Sequence, residues 1–317
     1  MVSTPVTLNA VSLASVAAEA SVPACVTDAP RVEISLRKVG VSYSAGKEGT
    51  KTVLANIDLE IPAGEFVVLL GETGCGKSTL LRLMLGQEFP TTGEVVVDGK
   101  PVKRIDSRTG YVPQKYSLFP DRTVLENVMY GPENVRFSLL GRLTPGFWRF
   151  RRQLREEAIH SLIRMGLRAQ DMKKYPHQLS GGMQQRVAIA QALLMKPPVL
   201  LLDEAFSALD PSTRSSLQEL LHSIWAESRP TIVFVTHNTT EALLLGTTLI
   251  VLGRHSDEEP EKSNVIVAQQ LPTAQLPFAQ RCHSAEFREQ HAFLERVAFA
   301  PSSMHRMQPP ALEDCPS

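Results

Sequence analysis

An α/β fold interrupted by a helical insertion follows from three observations on the 317-residue chain. Short, largely apolar runs at Glu65–Leu70 (EFVVLL), Val199–Asp203 (VLLLD) and Thr231–Thr236 (TIVFVT) have the length and composition of buried strands, and they alternate with helical patterns. The first run enters a glycine-rich loop, Gly71–Ser78 (GETGCGKS), that opens onto the amphipathic stretch Thr79–Leu85. Between the first and second runs, from about Asp121, the pattern turns helical and the alternation stops.

Taken in order, residues 1–30 are rich in Ala, Val, Ser and Thr and hold no Lys or Arg, so the positive n-region of a signal peptide is missing. They read as a disordered extension, and Val22–Cys25 (VPAC) is only a faint match to a lipoprotein cleavage site. From Arg31 to about Gly99 the chain is strand-rich: Val32–Leu36, Val53–Ile61, the run into the glycine-rich loop, then Gly93–Gly99, with Asp98 and Gly99 marking a turn. Thr123–Tyr130 and Arg151–Met165 read as helices joined by a stretch carrying Gly141, Pro145 and Gly146. Leu179–Arg186 (LSGGMQQR) opens a further helix that runs through Leu194. Charges and prolines then cluster in Ser256–Ser263, Ser284–Phe299 has the spacing of a small capping helix, and the end from Pro301 has the composition of a disordered tail. The expected organisation is an extension over 1–30, one α/β domain over 31–255 with its helical part at about 115–185, and a tail over 256–317 with one short helix.

Composition excludes several classes. Lys plus Arg (33) balances Asp plus Glu (33), so there is no overall basic field to gather nucleic acid, and no nucleic-acid partner is expected. Cys25, Cys75, Cys282 and Cys315 are scattered and form no CxxC pair, which argues against a zinc site or disulfide scaffold and fits a reducing cytosol. No segment approaches the roughly 18 continuous apolar residues that span a bilayer, so any membrane contact runs through a partner.

The glycine-rich loop has the spacing of a phosphate-cradling P-loop. Gly71, Gly74 and Gly76 free the backbone to turn successive N–H groups toward phosphate oxygens at the positive end of a helix. Lys77 then supplies a point charge for the β- and γ-phosphates, and the Ser78 hydroxyl is a hard oxygen donor suited to Mg²⁺. The alternative is a glycine-rich turn with an incidental lysine, which the flanking strand and helix disfavour. Cys75 lies inside this loop, where N–H groups and Lys77 are expected to lower its pKa and make it a point of attack for alkylating reagents.

The run Val199–Leu202 ends in Asp203 and Glu204. In a phosphate site the first carboxylate holds Mg²⁺ and the second polarises the attacking water; the alternative is a strand end with solvated acids. Ser180, Gly181 and Gly182 make a second anion-binding helix start or, alone, an ordinary serine cap.

Together with Gln114 in Tyr111–Gln114 (YVPQ), Ser207–Asp210 (SALD) and His237 in Val235–Asn238 (VTHN), these motifs resemble, in kind and in order, the ATP-binding subunit of an ATP-binding-cassette (ABC) transporter over roughly 31–253. The resemblance implies a P-loop NTPase core of ABC ATPase type with an antiparallel β subdomain and an inserted helical subdomain. It implies ATP and Mg²⁺ as cofactors and a head-to-tail homodimer in which the P-loop of one copy and Ser180–Gly182 of the other sandwich each ATP. By the same resemblance Tyr43 stacks on adenine, with local packing at a strand end as the alternative. Gly71, Glu72, Thr73, Gly74, Cys75, Gly76, Lys77, Ser78 and Thr79 hold the phosphates, and Gln184 joins Ser180–Gly182 on the facing copy. Gln114 reaches Mg²⁺ with Ser78 and Asp203, Glu204 is the general base, Asp210 lines the dimer seam, and His237 contacts the γ-phosphate. The implied partners are integral membrane permease subunits and, indirectly, a periplasmic or extracellular solute-binding protein, with the ATPase peripheral on the cytoplasmic face of the inner membrane.

Tyr175–Arg186 (YPHQLSGGMQQR) and Asp203–Asp210 (DEAFSALD) are most similar to importers of the nitrate, sulfonate, taurine and bicarbonate group, as is Glu286–Glu289 near the end. Asn238 stands where many relatives carry an acid. Other ABC systems, such as betaine importers, exporters and lipid transporters, share the same motifs; the soluble ABC ATPases of DNA repair or translation need long coiled coils or two cassettes, and this chain has neither. The segment Phe137–Arg155 is more basic than this family's helical insert usually is, with Arg142, Arg149, Arg151, Arg152 and Arg155 around Phe147, Trp148 and Phe150. It reads either as a face for lipid headgroups or the membrane subunit, or as a solvated helix with one buried aromatic face.

Overall fold

The structure is a computed structural model and describes residues 31–298 apart from 45–48, 116, 139, 208 and 257–261. The expected N-terminal extension, Cys25, Cys315, Ala208, most of the charged cluster after Ser256 and the tail from residue 299 lie outside the described residues. The first half contributes β1 (Val32–Ser44), β2 (Thr50–Pro62), β3 (Phe66–Leu70), α1 (Lys77–Leu85), β4 (Thr92–Val97), β5 (Lys100–Pro101), β6 (Thr109–Val112), α2 (Val124–Arg136) and α3 (Pro145–Arg164). The second contributes α4 (Gly181–Leu194), β7 (Val199–Asp203), α5 (Pro211–Ser228), β8 (Thr231–Thr236), α6 (Thr239–Leu245), β9 (Thr248–Leu252), β10 (Val265–Gln270), α7 (Phe278–Arg281) and α8 (Ala285–Ala298).

Two sheets form. One is antiparallel, in the order β2-β1-β4-β5; the other has the order β10-β9-β3-β8-β7-β6, with its neighbours parallel except for the β10–β9 pair. Every residue of β3, β7, β8 and β9 is buried, which is why these strands read as unbroken apolar runs rather than alternating ones. Their side chains still alternate between two cores. Phe66, Val68, Leu70, Leu200, Leu202, Ile232 and Phe234 pack with the helices, while Val67, Leu69, Val199, Leu201, Val233 and Val235 pack with α1 and the antiparallel sheet. Each such side chain contributes about 1.5–3 kcal/mol.

The helical insertion starts from a capping box: the Thr123 hydroxyl accepts from Glu126 N–H, and the Glu126 carboxylate accepts from Thr123 N–H. Buried Asn127 then holds the approach to α2, accepting from Phe119 N–H at 2.7 Å and donating to the Phe119, Arg122 and Thr123 carbonyls. Both helices are longer than their sequence pattern. α2 runs on to Arg136, and α3 starts at Pro145, because proline at the first helical position loses no hydrogen bond. Phe137, Phe147 and Phe150 close into an aromatic cluster at 5.3–5.4 Å, with Arg136 lying 4.8 Å above the Phe150 ring. Arg151 pairs with Glu133 at 2.9 Å, while Arg149, Arg152, Arg155, Leu140, Leu143 and Trp148 face solvent.

The main sheet continues past residue 255. β10 pairs antiparallel with β9, and α8 buries Phe287, Leu294 and Ala298 in the helical core against α6. Asn264, 3% exposed, stitches the two sheets together. Its amide accepts from Ala55 N–H at 2.7 Å and donates to Val53 O at 3.2 Å and Gly253 O at 3.0 Å.

Replacing Asn264 by Leu strands those three backbone groups and is expected to cost about 3 kcal/mol in urea unfolding. A second expectation concerns acid. Burial, reinforced by the charges of Arg281 and Arg229, pushes the pKa of His222 down from 6.5 to about 4, where it lies between Trp225 and Phe278. A folded pKa below the unfolded value means that this contribution is present above about pH 6.5 and is lost as pH falls toward 4. Unfolding curves across that window should therefore be less steep in pH for His222→Leu than for wild type.

Candidate functional site

The carboxyl ends of the parallel strands share one edge, and the chemistry gathers there. β3 delivers the loop Gly71–Gly76, which turns into α1 through Gly76 in the left-handed region (φ 103°). A Cβ on Gly76 would lie 2.5 Å from Leu54 Cδ2, and one on Gly71 would lie 2.3 Å from Leu252 O, so both positions exclude a side chain. Gly74 also takes a positive φ, of 84°. Lys77 is 5% exposed, and its ammonium donates to the carbonyls of Gly71 and Glu72, each at 2.7 Å. Ser78 and Thr79 open α1; buried Thr79 accepts from Arg82 at 3.2 Å.

Beside this loop the carboxylates fall into place. Ser78 Oγ donates to Asp203 Oδ1 at 3.2 Å. Burial raises the Asp203 pKa above the usual carboxylate range, with the neighbouring Glu204 charge adding to it and the Ser78 hydrogen bond opposing it. Glu204 follows the end of β7 with a left-handed backbone (φ 44°), pinned by its N–H donating to Val235 O at 3.0 Å. Its side chain accepts from the Gln114 amide at 3.0 Å and stands 3.4 Å from His237 Nδ1. Residues from four strand ends thus converge: β3 with the loop, β6 with Gln114, β7 with Asp203 and Glu204, and β8 with His237.

Tyr43 ends β1 on the α1 side, 40% exposed, its hydroxyl donating to Glu88 at 2.6 Å, and Glu88 also pairs with Arg82 at 3.1 Å. An arginine with no motif to mark it joins the loop: Arg254, just beyond β9, donates to Thr73 O at 3.1 Å and pairs with Glu72 at 3.4 Å.

Ser180, Gly181 and Gly182 lie elsewhere. Ser180 caps α4 by accepting from Met183 N–H at 3.3 Å, and Gln184 donates to Leu179 O at 3.2 Å. They border a groove of about 750 Å³ with Arg168, Lys174, Arg186, Asp210 and Thr213, lined by no P-loop residue and neither strand-end acid. Asp210 caps α5, accepting from Thr213 N–H at 3.0 Å and from Ser212; these bonds, the Thr213 N–H foremost, hold its pKa down to about 2. The expected site residues therefore form two separate constellations in one chain.

Cys75 departs from expectation. Its thiol is buried (1% exposed) beneath the loop, and that burial pushes its pKa up, outweighing Lys77 and the backbone N–H groups. Among the described residues no cluster of three or more His, Cys, Asp or Glu could hold a metal ion by itself.

A family model described as ABC transporter matches residues 54–207. The aliphatic sulfonates import ATP-binding protein SsuB of Bacillus cereus (strain ZK / E33L) is 36% identical over 239 residues, 75% of this chain and 87% of that protein. The nitrate import ATP-binding protein NrtD of Synechococcus elongatus is 39% identical over 204 residues, 64% of this chain and 70% of that protein. Among solved structures, a dimeric ATP-binding cassette in a post-hydrolysis state bound to ADP and Pi superposes with a TM-score of 0.62 at 32% identity, covering 75% of this chain and 98% of that one.

With N-ethylmaleimide at pH 7 and no nucleotide, exposed Cys282 should be modified at least about tenfold faster than Cys75, read by peptide mass spectrometry. Equal rates would contradict the buried, protonated thiol.

Proposed function

The chain belongs to the ABC transporter ATP-binding family, and we propose how its two constellations divide the work of ATP hydrolysis. The protein is an ATP-hydrolysing subunit of the importer type, with the α/β cassette fold of that family. The observation that carries the residue assignments is the meeting of the Ser78–Asp203 pair with the Gln114–Glu204–His237 cluster at the mouth of the P-loop.

In this reading the N–H groups of Gly74, Cys75, Gly76, Lys77, Ser78 and Thr79 receive the β- and γ-phosphates at the start of α1, with Glu72 and Thr73 forming the outer rim. Lys77 exchanges two carbonyls for phosphate oxygens. Tyr43 offers its half-exposed ring to adenine. The chemistry of the site fits Mg²⁺, which would be held by the adjacent hard oxygens of Ser78 and Asp203, with the side-chain oxygen of Gln114 as a further donor. When bound, the ion neutralises phosphate charge.

Glu204 takes a proton from the attacking water. His237, 3.4 Å from the same carboxylate, presents its ring to the γ-phosphate. Ser180, Gly181 and Gly182, with Gln184 behind them, cover the phosphates of the facing copy, and Asp210 lies along the seam. The protein's contribution is positioning and charge, because phosphoryl transfer asks for little covalent chemistry.

Closure of the homodimer is proposed to drive permease subunits and, through them, uptake from a solute-binding protein. The solute is a small anion or zwitterion such as nitrate, a sulfonate, taurine or bicarbonate, in keeping with the sulfonate- and nitrate-importing relatives. Among the described residues no helix is long and apolar enough to cross a membrane. The proposed place of the chain is peripheral, on permease subunits at the cytoplasmic face of the inner membrane, in keeping with the importer ATP-binding relatives.

Glu204→Gln should hydrolyse ATP about 10²- to 10⁴-fold more slowly while binding it normally and accumulating as an ATP-bound dimer on size-exclusion chromatography. Unchanged turnover would refute the general-base role. Lys77→Ala should weaken ATP binding at least about tenfold, measured by titration calorimetry. Co-purifying the membrane subunits and screening ligands of the binding protein tests the solute class.

A further inference from the structure

Behind the strand-end cluster lies a buried carboxylate that the hydrolysis scheme does not use. Glu241, on α6, is 6% exposed. Its Oε2 accepts from the Thr236 hydroxyl at 2.6 Å; its Oε1 accepts from the Gln218 amide at 3.3 Å and lies 3.6 Å from Arg214 Nε. Taking a carboxylate out of water is costly, and an apolar side chain in the same space often serves stability as well or better. The bonds it makes point to geometry as the return.

Those bonds bracket His237. Thr236, the residue before it, uses the same hydroxyl to accept from the N–H of Asn238, the residue after it, at 3.0 Å. Asn238 in turn accepts from Glu241 N–H at 3.1 Å, capping α6. The backbone on both sides of His237 is therefore tied to Glu241, through its side chain on one route and its N–H on the other. On the far side, Arg214 donates to Leu209 O at 3.0 Å, one residue before Asp210, and Thr213 borders Gly182. One buried carboxylate thus stands between the loop assigned to the dimer seam and the histidine assigned to the γ-phosphate.

We propose that Thr236, Glu241 and Arg214 form a positioning relay that fixes His237 for hydrolysis and ties it to the Leu209–Asp210 loop. It rests on the reading of His237 as a γ-phosphate ligand. Thr236 is the most telling point to cut, because valine keeps its shape and strand preference and removes only the hydroxyl, while serine keeps the hydroxyl.

The test uses the full chain, with steady-state ATPase kinetics and thermal melting on each variant. Thr236→Val strands a buried carboxylate oxygen and the Asn238 N–H and so lowers Tm, but assayed well below that Tm it should lower kcat at least about tenfold with KM for ATP within about twofold, and Thr236→Ser should recover kcat to within about threefold. Arg214→Gln should lower kcat in the same way, and Thr236→Val combined with Arg214→Gln should be no slower than the worse single variant, because both cut one relay. The relay is overturned by a valine variant within threefold of wild type, by a loss that serine does not restore, by losses that multiply in the double variant, or by a fall in kcat that disappears when the assay is run further below Tm. His237→Ala serves as the control for the underlying reading. If it keeps wild-type turnover, the γ-phosphate role of His237 fails and the relay fails with it; if it is inactive while Thr236→Val is active, the relay alone fails.

Discussion

The complete burial of β3 is the constraint from which the site follows. Its five residues, Phe66–Leu70, are all 0% exposed, flanked by β8 and β9 in parallel register and covered by a different core on each face. A strand so enclosed cannot slide by one residue without turning every side chain into the wrong core. The register fixes where the strand ends, hence where Gly71 starts the loop, and the parallel partners β7 and β8 bring Asp203 and His237 to the same edge. Apolar packing and strand register thus fix where the polar groups of the site are placed.

Above that edge the polar contacts are mutual. Glu204 sits in a left-handed conformation that few non-glycine residues adopt, and its position depends on a backbone bond to β8 and on side chains from two other strand ends. Strain of this kind persists where surrounding structure over-determines it. The second constellation, Ser180–Gly182 with Asp210, rests on helix caps instead and opens on its own groove. In the proposed head-to-tail dimer, the strand-end constellation of one copy and the helix-start constellation of the other are the two halves of each ATP site.

Much of this was legible in the chain because the decisive elements are local or fully buried. Continuous apolar runs marked β3, β7 and β8, since both faces of a parallel strand are covered. Residue spacing marked the P-loop. The same reasoning passed over β10 because its residues are only half-buried and it follows a charged stretch, so no unbroken run announces it. It also placed the start of α3 too late, reading Pro145 as an interruption where it is the first helical residue. Cys75 shows a limit of another kind: the groups expected to lower its pKa are present, but depth of burial is a tertiary property and outweighs them. Arg254, Thr236 and Glu241 have the same character, their partners lying on elements that only the folded chain brings together.

Lys77 donates to the carbonyls of Gly71 and Glu72, so its positive charge is satisfied within the loop itself. An ammonium buried without such partners would cling to whatever anion arrived and resist giving it up. Under the proposed phosphate role of Lys77, nucleotide arrival is a trade of one set of oxygen acceptors for another, and departure returns the lysine to the Gly71 and Glu72 carbonyls. A machine that must let go of its spent nucleotide on every cycle gains from a cation with somewhere to go home to.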